Sequence, residues 1–338
     1  MKSRKIFIYQ VLPRLLGNTQ TNNIQNGSIE ENGCGKFNDI TGKFLNQLKK
    51  NGYSHIWLIG VLAHASATDY TKFGIPKEYP EIIKGNAGSP YAVRDVYDVD
   101  PDLAVNVTDR MREFEAVIER VHNAGMQVII DFVPNHLARN YKSINRPKGV
   151  KEFGCDDDTS VAFSPNNNFY YMPGEELEIQ FSVRKMADVT YKESPAKVTG
   201  NDCFTNKPTQ YDWYETVKLN YGVDMQNGNV KYFDEIPDTW KKMKDVLIYW
   251  SKKNVDGFRV DMVEMVPLEF WQWVIPQVKK KFPQIIFLAE IYNPDAYRSF
   301  LDGDNFDYLY DKVGLYDVLR DVACGYRPSS DITFTLNN

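Results

Sequence analysis

Gly257-Phe258-Arg259-Val260-Asp261 is a short run, apolar but for Arg259, that stops on a carboxylate, and Ile285-Ile286-Phe287-Leu288-Ala289-Glu290 stops the same way 29 residues later. Mostly apolar runs of this length fit strands buried on both faces, as in a parallel sheet covered by helices. The stretch 268–282 between them reads as a helix, so Asp261 and Glu290 are expected at the same end of neighbouring strands. The unit repeats upstream. Strands are expected at 6–9, 55–59 and 126–131, with helices at 41–51, 108–124 and 239–253. The spacing of Met111, Phe114, Val117, Ile118 and Val121 is helical. A sixth strand is expected at Phe306-Asp307-Tyr308-Leu309, followed by a helix.

The rhythm breaks once, between 137 and about 230, where Asn, Asp, Lys, Tyr and Gly dominate and Ile179-Gln180-Phe181-Ser182-Val183 looks strand-like. The prediction is therefore an α/β fold: a (β/α)8 TIM barrel, first six strands present, with an inserted subdomain after strand 3. It divides as 1–136 (strands 1–3), 137–230 (insertion) and 231–338 (strands 4–6). The first and sixth strands would have unpaired edges, and the natural chain is expected to continue beyond Asn338.

Composition excludes several classes. The net charge of -5 and the lack of a basic tail argue against nucleic-acid binding, which needs clustered Lys and Arg to displace phosphate counterions. No run of 18 apolar residues exists, so no membrane span is expected. The start Met1-Lys2-Ser3-Arg4-Lys5-Ile6-Phe7-Ile8-Tyr9-Gln10 is too short and polar in its apolar part for a leader. The chain as given reads as cytoplasmic, or as periplasmic or secreted if a signal has been removed. Cys34, Cys155, Cys203 and Cys324 form no C-x-x-C pair and are expected as free thiols. His55, His64, His122 and His136 lack metal-ligand spacing, which disfavours metal-assisted chemistry. Aromatic content is high at 14%. Aromatic faces stack on sugar rings as well as filling cores.

In barrels of this kind the residues that end strands form the active site. Two carboxyl groups about 5 Å apart across a glycosidic bond can divide into nucleophile and acid/base. Arg259, on the same face as Asp261, is expected to hold it ionised, and the apolar run before Glu290 to keep that group protonated. A structural Arg259–Asp261 ion pair with Glu290 capping the next helix is the open alternative.

Asp131-Phe132-Val133-Pro134-Asn135-His136, Gly257-Phe258-Arg259-Val260-Asp261 and Ala289-Glu290 are similar, in order and spacing, to three signature regions of the α-amylase family. Gly88-Ser89-Pro90-Tyr91, Asp95-Val96-Tyr97-Asp98-Val99-Asp100-Pro101 and Lys218-Leu219-Asn220 also resemble that family, and the likeness covers essentially the whole chain. The resemblance implies Asp261 as nucleophile, Glu290 as acid/base and Arg259 as support for the nucleophile. It places Asp131 in the substrate site, His136 on a sugar hydroxyl and Tyr91 against the sugar ring. It makes the insertion at 137–230 domain B. The implied activity is retaining hydrolysis of α-1,4-glucosidic bonds in starch-like glucans or maltooligosaccharides. Transglycosylation by the same intermediate is the alternative, and a non-catalytic binding or scaffold module a remoter one.

Three departures bear on this. The family's third catalytic carboxylate follows an Asn-His pair on the seventh strand, and no such triplet occurs here; Phe334-Thr335-Leu336-Asn337-Asn338 only faintly resembles its start. These 338 residues alone are therefore expected to be inactive or nearly so. No cofactor is required, and a structural calcium stays open: Asn135 matches a ligand position, but Lys218 stands where several members carry an aspartate. Asp261-Met262-Val263-Glu264-Met265 lacks the His or Lys pair common four residues beyond the nucleophile. Lys218-Leu219-Asn220 is nearer the version in neopullulanase-like members.

Overall fold

The computed structural model describes residues 5–181, 183, 190–303 and 305–337. Six strands, β1 (Ile8–Val11), β2 (His55–Leu58), β3 (Gln127–Phe132), β4 (Gly257–Val260), β5 (Ile286–Ala289) and β6 (Tyr308–Leu309), lie side by side in chain order. Every neighbouring pair is parallel. This is the six-stranded part of a (β/α)8 barrel expected from the sequence. Among the described residues, β1 and β6 have no second β-partner.

Helices cover the sheet because each puts an apolar stripe toward it. Arg110–Asn123 buries Phe114, Val117, Ile118 and Val121, the i, i+3, i+4, i+7 set of one helix face. Asp238–Lys252 and Leu268–Lys281 bury Trp250 and Trp271 completely or nearly so. Gly42–Lys50 starts where the Thr41 side chain accepts the Phe44 N–H, satisfying one of the first-turn donors that the helix leaves open. Phe132, Phe258 and Phe287, on three adjacent strands, continue the same core.

Register decides where the chemistry emerges. Val260 lies opposite Phe132 on β3 and Ala289 on β5, so residues 261 and 290 leave the sheet at one level. Main-chain bonds fix this step: the Asp261 N–H donates to Phe132 O at 2.9 Å and the Glu290 N–H to Val260 O at 3.0 Å.

The structure differs from the sequence reading in places. β1 begins at Ile8 rather than residue 6, because its partner begins at His55, and Phe7 is exposed. The long connection after β2 is not all loop: Leu62–His64 pairs antiparallel with Val93–Val99, and every residue of the latter is buried. Its three charged members are matched by partners elsewhere in the chain, Asp98 by Arg110 at 2.6 Å, Arg94 by Glu78 at 2.7 Å, and Asp95 by the Ser143 hydroxyl at 2.6 Å. Between β3 and the helix at Asp238 the chain leaves the sheet and forms short antiparallel ladders: His136–Ala138 with Thr216–Lys218, Tyr171–Met172 with Ala196–Lys197, and Val223–Asp224 with Val230–Lys231. Residues 179–181 of the expected strand at 179–183 are not in a strand. Residue 182 lies outside the described residues, as do residues 1–4 of the stretch read for a leader and residue 338 of the tail. Residues 334–337 of the tail belong to the helix Ser330–Asn337. No helix among the described residues is long and apolar enough to cross a membrane, and the four cysteines are free thiols.

Candidate active site

Arg259 organises the site. It is buried on β4 directly opposite Asp131 on β3, and its guanidinium reaches three carboxylates: Glu290 Oε1 at 2.5 Å, Asp261 Oδ1 at 2.8 Å and Asp131 Oδ1 at 3.3 Å. Its Nε donates to Tyr310 Oη at 3.1 Å. The rings of Trp57, Tyr91 and Tyr310 surround it, with centroids 5.2, 5.6 and 5.6 Å from the guanidinium carbon. A planar cation with several donors is suited to this sharing, which a lysine would not reproduce.

The three carboxylates carry more negative charge than one guanidinium neutralises, and all are buried. Burial, reinforced by the Glu290 charge and opposed by Arg259, pushes the Asp261 carboxyl up to about 7. Burial likewise raises Asp131 to about 6 against the pull of Arg259. The expectation that Arg259 holds Asp261 ionised meets an opposing effect, since burial raises the carboxyl while Arg259 lowers it. The guanidinium is shared, its shortest contact is to Glu290, and desolvation outweighs its attraction at Asp261.

Glu290 is held from two further sides. Tyr292 Oη donates to its Oε1 at 2.6 Å, and the Met262 N–H donates to its Oε2 at 3.1 Å. Met262 has φ of 48°, a left-handed conformation costly for a non-glycine side chain. The turn lets the residue after Asp261 aim its N–H at Glu290, linking the two carboxylates through the backbone.

A cavity of about 330 Å³ opens over this cluster, lined by Tyr91, His136, Trp213, Asp261, Glu290 and neighbouring residues. Tyr91, His136, Arg259, Asp261 and Glu290 all line this cavity, whereas Asp131 does not line it and joins the cluster through Arg259. Asn135 Nδ2 donates to His136 Nδ1 at 3.2 Å, which puts the ring proton on Nε2. Burial, with Lys218 adding to it, pushes His136 down to about 3, so the ring is uncharged at neutral pH. Trp57, Trp213, Tyr292 and Tyr310 escaped the sequence reading. Trp57 and Tyr310 do sit in or just after strands, a signal that was available. Trp213 comes from the insertion, 77 residues after His136, and packs its ring 5.2 Å from the imidazole.

Asn135 is not free to ligate calcium. Its Oδ1 accepts the Lys218 ammonium and its Nδ2 donates to Gly200 O at 2.7 Å as well as to His136. Among the described residues no three or more His, Cys, Asp or Glu side chains gather to hold a metal ion. Calcium prefers six to eight oxygens, so these residues do not fit the ion that the resemblance implied.

Residues 10–302 match the family model for the α-amylase catalytic domain. The α-1,4-glucan:maltose-1-phosphate maltosyltransferase of Pseudomonas aeruginosa is 36% identical over 228 residues, covering 67% of this chain and 26% of that one. Maltase 1 of Drosophila virilis is 24% identical over 51% of this chain and 23% of its own. The crystal structure of an α-amylase from Lactobacillus plantarum superposes with TM-score 0.59 at 22% identity, over 98% of this chain and 58% of that one. The cyclic α-maltosyl-(1→6)-maltose hydrolase of Arthrobacter globiformis gives TM-score 0.60 at 17% identity, over 98% and 61%. The chain thus spans about a quarter of the length of these curated relatives.

Proposed function

Because the chain belongs to the α-amylase family, we propose that it contributes the nucleophile and the acid/base of a retaining α-glucan-active enzyme. The observation that carries the reading is the trio Asp131, Asp261 and Glu290, drawn from the ends of three adjacent parallel strands onto one buried Arg259. Residues 1–136 and 231–338 form the barrel in this reading, and 137–230 is domain B, which supplies Trp213 to the wall of the sugar pocket.

The chemistry is a double displacement. An Asp261 oxygen attacks the anomeric carbon while Glu290 gives its proton to the departing glycosidic oxygen, so the C–O bond to the leaving sugar breaks as the bond to Asp261 forms. Glu290 then takes a proton from the incoming hydroxyl, whose oxygen displaces Asp261. Tyr91 supplies an aromatic face to the ring, and neutral His136 a hydrogen-bond donor. With water as acceptor the enzyme hydrolyses α-1,4 bonds of starch-like glucans or maltooligosaccharides; with a sugar or another nucleophile it transfers. The maltosyltransferase likeness at 36% identity favours keeping transfer as the second reading.

Trapping tests the assignment. An α-glucosyl or maltosyl donor carrying an activated leaving group and a fluorine that slows turnover is expected to label the peptide containing Asp261 in the complete polypeptide, read by mass spectrometry. Labelling elsewhere would remove Asp261 as nucleophile. Residues 1–338 on their own, without an Asn-His-Asp triplet, are expected to turn over α-glucan at best slowly. Vigorous starch hydrolysis by the purified 338-residue chain would contradict that.

A further inference from the structure

Lys218 is a buried lysine that the catalytic scheme does not use. It lies opposite His136 in the ladder that joins the end of β3 to the insertion. Its ammonium has three N–H donors and meets three oxygens from three separate segments: Asn135 Oδ1, Asp202 Oδ1 at 2.7 Å and Met265 O at 3.1 Å. A tetrahedral ammonium with three acceptors is fully satisfied. One of those acceptors carries a charge that neutralises it.

We propose that the Lys218 ammonium is a built-in cation. It occupies the place at Asn135 where the family resemblance implies calcium, and so makes the junction between barrel and insertion independent of that metal. The oxygens that converge there are of the kind a hard cation would collect, but a divalent ion would have to share the space with a positive charge. Burial acts to lower the Lys218 pKa and Asp202 acts to raise it, as befits an ammonium taken out of water but kept charged by its partner.

The same ammonium positions the catalytic turn. Met265 closes the short helical turn Val263–Met265, and its N–H donates to Met262 O at 3.0 Å. At the other end of that turn the Met262 N–H holds Glu290. Lys218 therefore anchors, from the insertion, the segment that connects the two catalytic carboxylates. It is a positioning residue rather than a catalytic one.

Thermal melting of the complete polypeptide tests this without relying on turnover. The wild type is expected to melt at the same temperature in EDTA and in ~5 mM calcium chloride, a concentration above the weak-site range of about 10⁻⁴–10⁻³ M. A wild-type midpoint that rises with calcium or falls with EDTA overturns the proposal. Lys218→Ala empties the cation position and leaves Asp202 without its partner. Its midpoint is expected to fall by roughly 5–10 °C and to recover at least partly with calcium but not with the same ionic strength of sodium chloride. A Lys218→Ala protein as stable as wild type, or one indifferent to calcium, also overturns it. Should Lys218→Ala fail to fold, Lys218→Asp, which returns a carboxylate to the same oxygens, is judged by its yield of folded protein. Calcium-dependent yield supports the built-in cation, and yield unaffected by calcium refutes it.

Discussion

Asp261→Asn is expected to abolish turnover while making the protein more stable at alkaline pH. An amide cannot form the glycosyl ester, and removing a covalent nucleophile costs roughly 10⁴-fold or more in kcat. The stability gain follows from the raised Asp261 pKa of about 7. A carboxyl whose folded-state pKa lies above its ordinary value binds a proton more tightly when folded. It therefore adds no cost at pH values below the ordinary carboxylate range. Its cost grows as pH climbs from about 4 towards 7 and is complete above that. Asparagine never ionises, so the variant is expected to exceed wild type at pH 8 by on the order of 3 kcal/mol and to match it near pH 4. Denaturant titrations of both proteins at the two pH values check this. Equal stability at pH 8 would show that Asp261 is not strained by burial, and an activity loss under tenfold would show that it is not the nucleophile. Stability gained at the expense of activity is common where a site holds unfavourable charge for chemistry.

Arg259→Met is expected to do the opposite to stability. Removing the guanidinium leaves Asp131, Asp261 and Glu290 buried together with no other cation paired to them among the described residues. Breaking a buried ion pair from one side typically costs about 3–5 kcal/mol, and here three carboxylates lose the same partner. The loss is expected to be largest at pH 8 and to shrink as pH falls toward 5, because the carboxyl groups whose pKa values burial already raises can then take up protons. A lowered denaturation midpoint that recovers with acid is the signature. Arg259→Lys is expected to recover part of the stability but little activity, since an ammonium cannot span the three oxygens in one plane. A loss in Arg259→Met that is independent of pH would mean that the arginine serves packing against Trp57, Tyr91 and Tyr310 rather than charge.

Local pattern made much of this molecule readable. Parallel strands declare themselves as apolar runs, and a carboxylate that ends such a run must emerge at the rim of the sheet, whatever lies far away in the chain. That is why Asp261 and Glu290 were legible, and why Asp131 and Arg259 came with them. The ladder at Val93–Val99 was harder to see because its charged residues break the apolar run; their partners Arg110 and Glu78 are supplied by other parts of the fold. Trp213 was beyond local pattern for a similar reason, and so were the partners Asp202 and Met265 of Lys218, since both depend on the insertion folding back over the barrel.

The sequence by itself determined the strand order and the identity of the strand-ending carboxylates. Tertiary structure alone decided that one arginine serves three acids, that Met262 turns left-handed to hold Glu290, and that a lysine ammonium takes up the oxygens at Asn135. The division has a physical cause. Strand formation depends on side chains within a few residues. The charge on a buried carboxyl instead depends on how much water is excluded and on which distant charges the fold brings within a few ångströms.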